Sequence, residues 1–259
     1  MIPLRQLVLR PLLCADAHEK AVLTRSLPAS ASIDSCAVPV DPLGIPGRPE
    51  RPVLVPHNKI KQRSVKTVEG RAALIHAIAH IELNAIDLAL DIVWRFAGMP
   101  DEFYRQWLGV AQEEAMHFTL LRGHLRGMGY EYGDFPAHNA LWEMAEKTKG
   151  DVLARVALVP RTLETRGLDA SPPIRAKLVN AGDTRAGEIL DIILRDEIGH
   201  VALGNYWYRW LCEQRALDPV TTYAELAQRY GAPRPRGPFN LDARRAAGFT
   251  EEELKLLGD

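Results

Sequence analysis

The chain has 259 residues, enough to bury a large core in one domain with elaborations. Lys and Arg total 32 against 33 Asp and Glu, so no global field would draw in nucleic acid or anionic lipid. Cys14, Cys36 and Cys212 lie far apart with no CxxC. That spacing excludes an attached rubredoxin-type iron centre and a disulfide framework, and fits a reducing, cytoplasmic setting.

Residues 1–63 read as an irregular, Pro-rich arm packed on a helical bundle. Arg5 and Arg10 break the opening apolar stretch, which is too short for an export signal. Leu13 before Cys14 is too large for a lipoprotein cleavage site, so 1–14 is expected to be strand-like or irregular. A short helix is expected near 15–25. Six prolines across 39–56 forbid a long helix there and suggest an extended wrap.

Four long helices come next. The first spans 67–96 and ends before Gly98-Met99-Pro100. The second opens at Asp101, where Asp101 and Glu102 complement the helix dipole, and ends near Gly127. After a Gly-rich loop, a shorter helix at 138–149 crosses over. The third long helix, 151–166, contains Pro160, which should kink it; Gly167 and Pro172-Pro173 are expected to end the segment. The fourth spans 183–212. Near the end, Thr250 and Glu253 form a capping box, with Phe249 and Leu254 placed as a staple. The expected division is an arm at 1–63, a helical bundle at 64–215, and a helical extension at 216–259. No apolar run reaches the ~20 residues of a membrane span.

Two short strings carry the chemistry: Glu114-Ala115-Met116-His117 and Glu197-Ile198-Gly199-His200. A lone Glu82 stands 32 residues before the first, and Glu164 stands 33 before the second. Residues three apart on a helix share a face, so each ExxH can grip one ion while its Glu reaches another. Four carboxylates and two imidazoles in the order E, ExxH, E, ExxH are the ligand set of a dimetal-carboxylate helix bundle. Oxygen with imidazole nitrogen suits iron or manganese.

The neighbours indicate that these groups point inward. Glu82 lies in a stripe with Ile75, Ile78, Ala79, Ile86, Ala89 and Val93. Glu114 and His117 share one with Trp107, Val110 and Leu121, and Glu197 and His200 with Leu190, Ile193, Leu194, Val201 and Gly204. Buried carboxylates at close range need a cation. Taken singly, an ExxH is a weak signal; the near-equal offsets of the two halves make it specific.

Other candidates rank lower. Glu113 is spaced four from His117, Asp196 projects away from Glu197, and Glu188 lies on the opposite face. His80 is off-face from Glu82 and reads as a core or helix-contact histidine. His124 is too far along its helix to join the same pair, and Tyr208 reads as a core tyrosine. Gly199, between two ligands, allows either close helix approach or space for a small molecule.

The run from His76 through Glu82 to Ala89, with Pro46-Gly47-Arg48-Pro49, Gln112-Glu113-Glu114-Ala115-Met116-His117, Thr165-Arg166-Gly167-Leu168-Asp169 and Asp196-Glu197-Ile198-Gly199-His200, resembles the ferritin-like superfamily. More narrowly, it resembles an uncharacterised bacterial branch of it, over about residues 46–255. The resemblance implies an all-α, ferritin-like four-helix bundle with a Pro-rich arm and short carboxy-terminal helices. It implies two iron ions, with manganese or mixed metal as alternatives. Glu114 and Glu197 would bridge them, Glu82 with His117 completing one site and Glu164 with His200 the other. The expected activity is an oxidoreductase using dioxygen or peroxide on a small-molecule substrate, with an electron donor the sequence does not identify. Alternatives are rubrerythrin- or bacterioferritin-type iron and peroxide handling, a tRNA hydroxylase, and a helical protein with a structural metal. The basic cluster Arg48, Arg51, Lys59, Lys61, Arg63 and Lys66 does not outweigh the balanced charge, so nucleic acid is disfavoured; a homodimer is compatible.

Overall fold

The computed structural model describes residues 2–40, 42 and 44–258; Met1, Asp41, Leu43 and Asp259 lie outside the described residues, so the Pro-rich stretch 39–56 is described only in part. Every regular element among the described residues is helical, and the only β-pairing among them is an isolated bridge between Leu54 and Ala137. The chain divides into two compact units, Met1–Ala140 with Ala181–Ile189, and Leu141–Asn180 with Leu190–Asp259.

In the first unit the arm is more ordered than the sequence suggests. The stretch 1–14 was expected to be strand-like or irregular; within it Leu4–Leu7 (α1) and Leu9–Leu13 (α2) form helical turns. The prolines that argue against helix are harmless: Pro3 caps α1, and Pro11 lies in the first turn of α2, where amides lack intrahelical partners. Helix α3 (Ala17–Arg25) is capped by Asp16, whose carboxylate accepts from the Glu19 amide at 2.7 Å.

Buried Arg5 fastens the arm to the long helix α4 (Val68–Arg95). Its guanidinium donates to the Val93 and Trp94 carbonyls at 3.2 and 2.9 Å, filling acceptors the helix end leaves open, and to Ala37 O at 2.6 Å. Gly47 seals a second contact: its amide donates to Leu12 O at 2.8 Å, and a methyl there would sit 2.0 Å from the Leu13 carbonyl oxygen.

Thr67 caps α4, accepting from Gly70 N–H at 3.0 Å. Among the described residues α4 alone would qualify, by length and mean hydropathy, as a membrane span, which no run was expected to do. However, 72% of its apolar window is buried, and it carries His76, His80, Glu82, Asp87 and Asp91 inside the protein. Helix α5 (Asp101–Gly127) packs along α4 and has the expected bounds.

The second unit holds most of α6 (Ala140–Lys147), α7 (Val152–Leu158), a π-helical stretch Val159–Glu164, and α8 (Thr165–Asn180). It also holds all but the start of α9 (Thr184–Gln214). Pro160, lacking an amide proton, does not simply kink the helix: the turn widens to a π-bulge, and Thr162 Oγ1 donates to Ala157 O at 2.7 Å. Gly204 of α9 lets that bulge come close, since a methyl there would meet Pro160 Cβ at 2.9 Å.

Pro172 and Pro173, expected to end the segment, lie inside α8. The Leu168 carbonyl that Pro172 cannot satisfy accepts instead from Asn240 Nδ2 at 3.2 Å, and Arg244 holds the adjacent Asp169 carboxylate at 2.5 Å.

Helices α10 (Pro219–Tyr230), α11 (Leu241–Ala246) and α12 (Glu251–Lys255) complete the unit. The capping box of Thr250 and Glu253 forms as expected. Arg161, in the bulge, clamps the tail: its guanidinium lies 4.9 Å from the rings of Tyr208, Tyr223 and Phe249 and pairs with Glu253.

Candidate metal centre

The first unit brings three of the expected ligands together. Glu82 comes from the middle of α4; Glu114 and His117 come from one face of α5, three residues apart. All three side chains are buried, among Ile78, Ile86, Trp107, Val110 and Leu121. His117 Nδ1 lies 3.1 Å from Glu82 Oε2 and 3.3 Å from Glu114 Oε2, and one ligand atom from each residue falls within 4.8 Å of the others.

The electrostatics arise from two carboxylates sharing one imidazole in hydrocarbon. Burial pushes the His117 imidazole down, but hydrogen bonds to Glu114 and Glu82 and their charges outweigh it, raising its pKa to about 11. The metal-free cluster therefore stores a proton where a cation would sit. Even with His117 charged, two carboxylates leave a net negative charge. Buried oxygen and imidazole donors of net negative charge are the donor set that iron or manganese takes.

The second unit carries the other three. Glu197 and His200, both buried on α9, place Oε1 and Nδ1 3.8 Å apart. Glu164 is the last residue of the π-bulge and is half-buried. The bulge, which the sequence showed only as Pro160, therefore sets how Glu164 is presented.

The lower-ranked residues have other roles. Glu113 is exposed. Asp196 pairs with Arg195 at 2.7 Å and Glu188 with Arg185 at 2.8 Å. His124 bonds Asp183 at 2.9 Å, away from the cluster's ligands. Tyr208 is buried and donates to Pro219 O at 2.6 Å. Gly199 is exposed, with nothing among the described residues within 4 Å of where a methyl would sit, so close helix approach does not explain it.

One polar set is not apparent from the sequence pattern of the ligands. His80, Asn84, Asp87 and Asp91 run along the face of α4 opposite Glu82, all buried. Their spacing of four, three and four is the signal that could have found them.

The geometry defines the class: an all-helical protein with a buried carboxylate–imidazole cluster able to hold a metal ion. The chain belongs to the family described as "Protein of unknown function (DUF455)", whose model matches residues 13–255. An "Uncharacterized protein" of Haemophilus influenzae (strain ATCC 51907 / DSM 11121 / KW20 / Rd) is 50% identical over 216 residues, covering 81% of this chain and 75% of the relative. No solved structure matches the chain.

Proposed function

We propose that this chain is a ferritin-like dimetal-carboxylate protein that binds two iron ions and works as an oxidoreductase on dioxygen or peroxide. The observation that carries the reading is His117 held between Glu82 and Glu114 in a buried setting, with a second Glu-x-x-His prepared on α9. In this reading Glu82, Glu114, His117, Glu164, Glu197 and His200 would hold the two ions. When bound, a ferrous pair supplies the electrons that reduce dioxygen or peroxide.

The residues of the chain do the rest. Buried Trp107, Val110 and Leu121 keep water from the α5 ligands. His117 must give up its proton to bind a metal, so loading is coupled to pH. A reducing cytoplasm fits three free cysteines. The substrate class is a small organic molecule.

Anaerobic ferrous loading followed by elemental analysis and Mössbauer spectroscopy tests the reading. Two irons per chain are expected, turning to an antiferromagnetically coupled diferric pair within seconds of oxidant addition. Accumulation of hundreds of irons would indicate storage. Two bound irons that react with neither dioxygen nor peroxide would indicate a structural metal.

A further inference from the structure

The polar stripe on the face of α4 away from Glu82 builds a second pocket, distinct from the metal cluster. It is a half-open cavity of about 30 Å³, walled by Gly47 and Arg48 of the arm, by His80, Asn84 and Asp87 of α4, and by Tyr132. Such a volume holds one water or the end of a small ligand, not a whole cofactor.

The charges around it do not balance. Buried Lys20 pairs with Asp87 and also donates to Gly47 O at 2.9 Å, so that pair is neutral. Arg48 is a further cation. Its Nη2 is buried and has no hydrogen-bond partner among the described residues. Two further acids among the described residues have their own cations: Asp91 pairs with Arg95 at 2.8 Å and Glu131 with Arg122 at 2.8 Å. His80 is also committed, Nδ1 to the Tyr132 hydroxyl at 2.7 Å and Nε2 to His138 O at 3.0 Å. Among the described residues, one surplus positive charge therefore faces the cavity with an idle donor. Leaving such a group unpaired in a desolvated place is expensive, and a guanidinium fork matches a carboxylate.

We propose that this pocket binds the carboxylate of a small monocarboxylic acid through Arg48. One negative charge cancels the surplus; a doubly charged phosphate would overshoot it beside Asp87. A planar group of three heavy atoms also suits the narrow cavity. The remainder of the ligand would lie toward the rim at Leu54, which is 40% exposed.

Isothermal titration of the full chain with sodium acetate, against acetamide as the uncharged probe, tests this in chelated and iron-loaded protein. Saturable acetate binding of equal affinity in both states is expected, with none for acetamide. Arg48→Gln should raise the Kd at least tenfold, and Arg48→Lys, which keeps the charge but loses the fork, by less. Cooperative melts of both variants confirm folding; if Arg48→Gln does not fold, the acetamide comparison and Arg48→Lys decide. No saturable acetate binding, equal binding of acetamide, or an unchanged Kd in a folded Arg48→Gln would overturn the proposal. So would binding confined to loaded protein, which would assign acetate to the iron. The chelated arm contains no metal, so failure here leaves the iron reading standing.

Discussion

Glu82 and His117, 35 residues apart in the chain, face each other across two packed helices with Oε2 and Nδ1 3.1 Å apart and both side chains buried. An imidazole and a carboxylate so placed are either an ion pair holding a proton or two arms of a metal site. The choice between these states can be measured.

Metal loading should release a proton. In the metal-free chain the His117 pKa is raised to about 11, so its ring is charged at pH 8, and a metal can take the nitrogen only after that proton leaves. Titration with Mn²⁺ in buffers of different ionisation enthalpy should show at least one proton released on binding at the His117 site. Affinity should rise about tenfold per pH unit below pH 10. Zero release would remove His117 from the ligand set.

Ligand substitutions should separate neighbours in sequence. Glu114→Ala and Glu197→Ala should each remove most bound iron by elemental analysis, because the proposed site uses both as ligands. Exposed Glu113→Ala should leave the metal content unchanged. If Glu113→Ala depletes iron as strongly as Glu114→Ala, the register of the site is wrong.

Acid should weaken the arm side of α4. His76 accepts from the Gly133 amide at 2.9 Å through Nε2, and burial pushes its pKa down to about 4; burial does the same to His80. The unfolded chain takes up these protons near pH 6.5 and the folded chain only near 4, so stability is lost as pH falls through that window. By pH 5 each imidazole costs about 2 kcal/mol. Asp87, raised to about 6 by burial against the pull of Lys20, acts in the opposite sense and offsets part of the loss. His117 stays charged across this range. Urea midpoints at pH 7 and 5 should therefore fall in wild type. The fall should shrink in His76→Gln, which keeps an acceptor but cannot titrate; an equal fall in that variant would refute the assignment.

Two glycines of α9 should respond oppositely to alanine. At exposed Gly199 a methyl meets open space, so Gly199→Ala should stabilise by up to about 1 kcal/mol through helix propensity. At Gly204 the methyl would sit 2.9 Å from Pro160, so Gly204→Ala must push the bulge and should lower the melting temperature. Because the bulge ends at Glu164, it should also reduce iron content. Equal effects at both positions would contradict the packing.

The long helices were legible because each carries an unbroken apolar stripe and a clear terminus, such as Thr67 before α4 and Asp101 opening α5. Glu82, Glu114 and His117 stood out in the sequence because charged residues in such stripes are costly to bury unless something neutralises them. Local rules misled where a distant partner repaired a local defect. Pro172 and Pro173 stay helical because Asn240, over sixty residues on, takes the orphaned carbonyl of Leu168. The π-bulge was invisible because widening and kinking at Pro160 begin from the same missing amide. The Arg48 pocket was hidden because Lys20, Arg48 and Asp87 come from three separate stretches of sequence.

Helix α4 is polar on two opposite edges, Glu82 on one and the His80–Asp91 stripe on the other, with hydrocarbon between. Inserting or deleting a single residue within it would turn everything beyond that point by about 100°. Carboxylates on both edges would then face aliphatic neighbours together, with no compensating fit on either side. The length of this helix between His80 and Asp91 is therefore locked twice over. Volume-conserving exchanges such as Ile for Leu cost little along it, but a change of length cannot be absorbed.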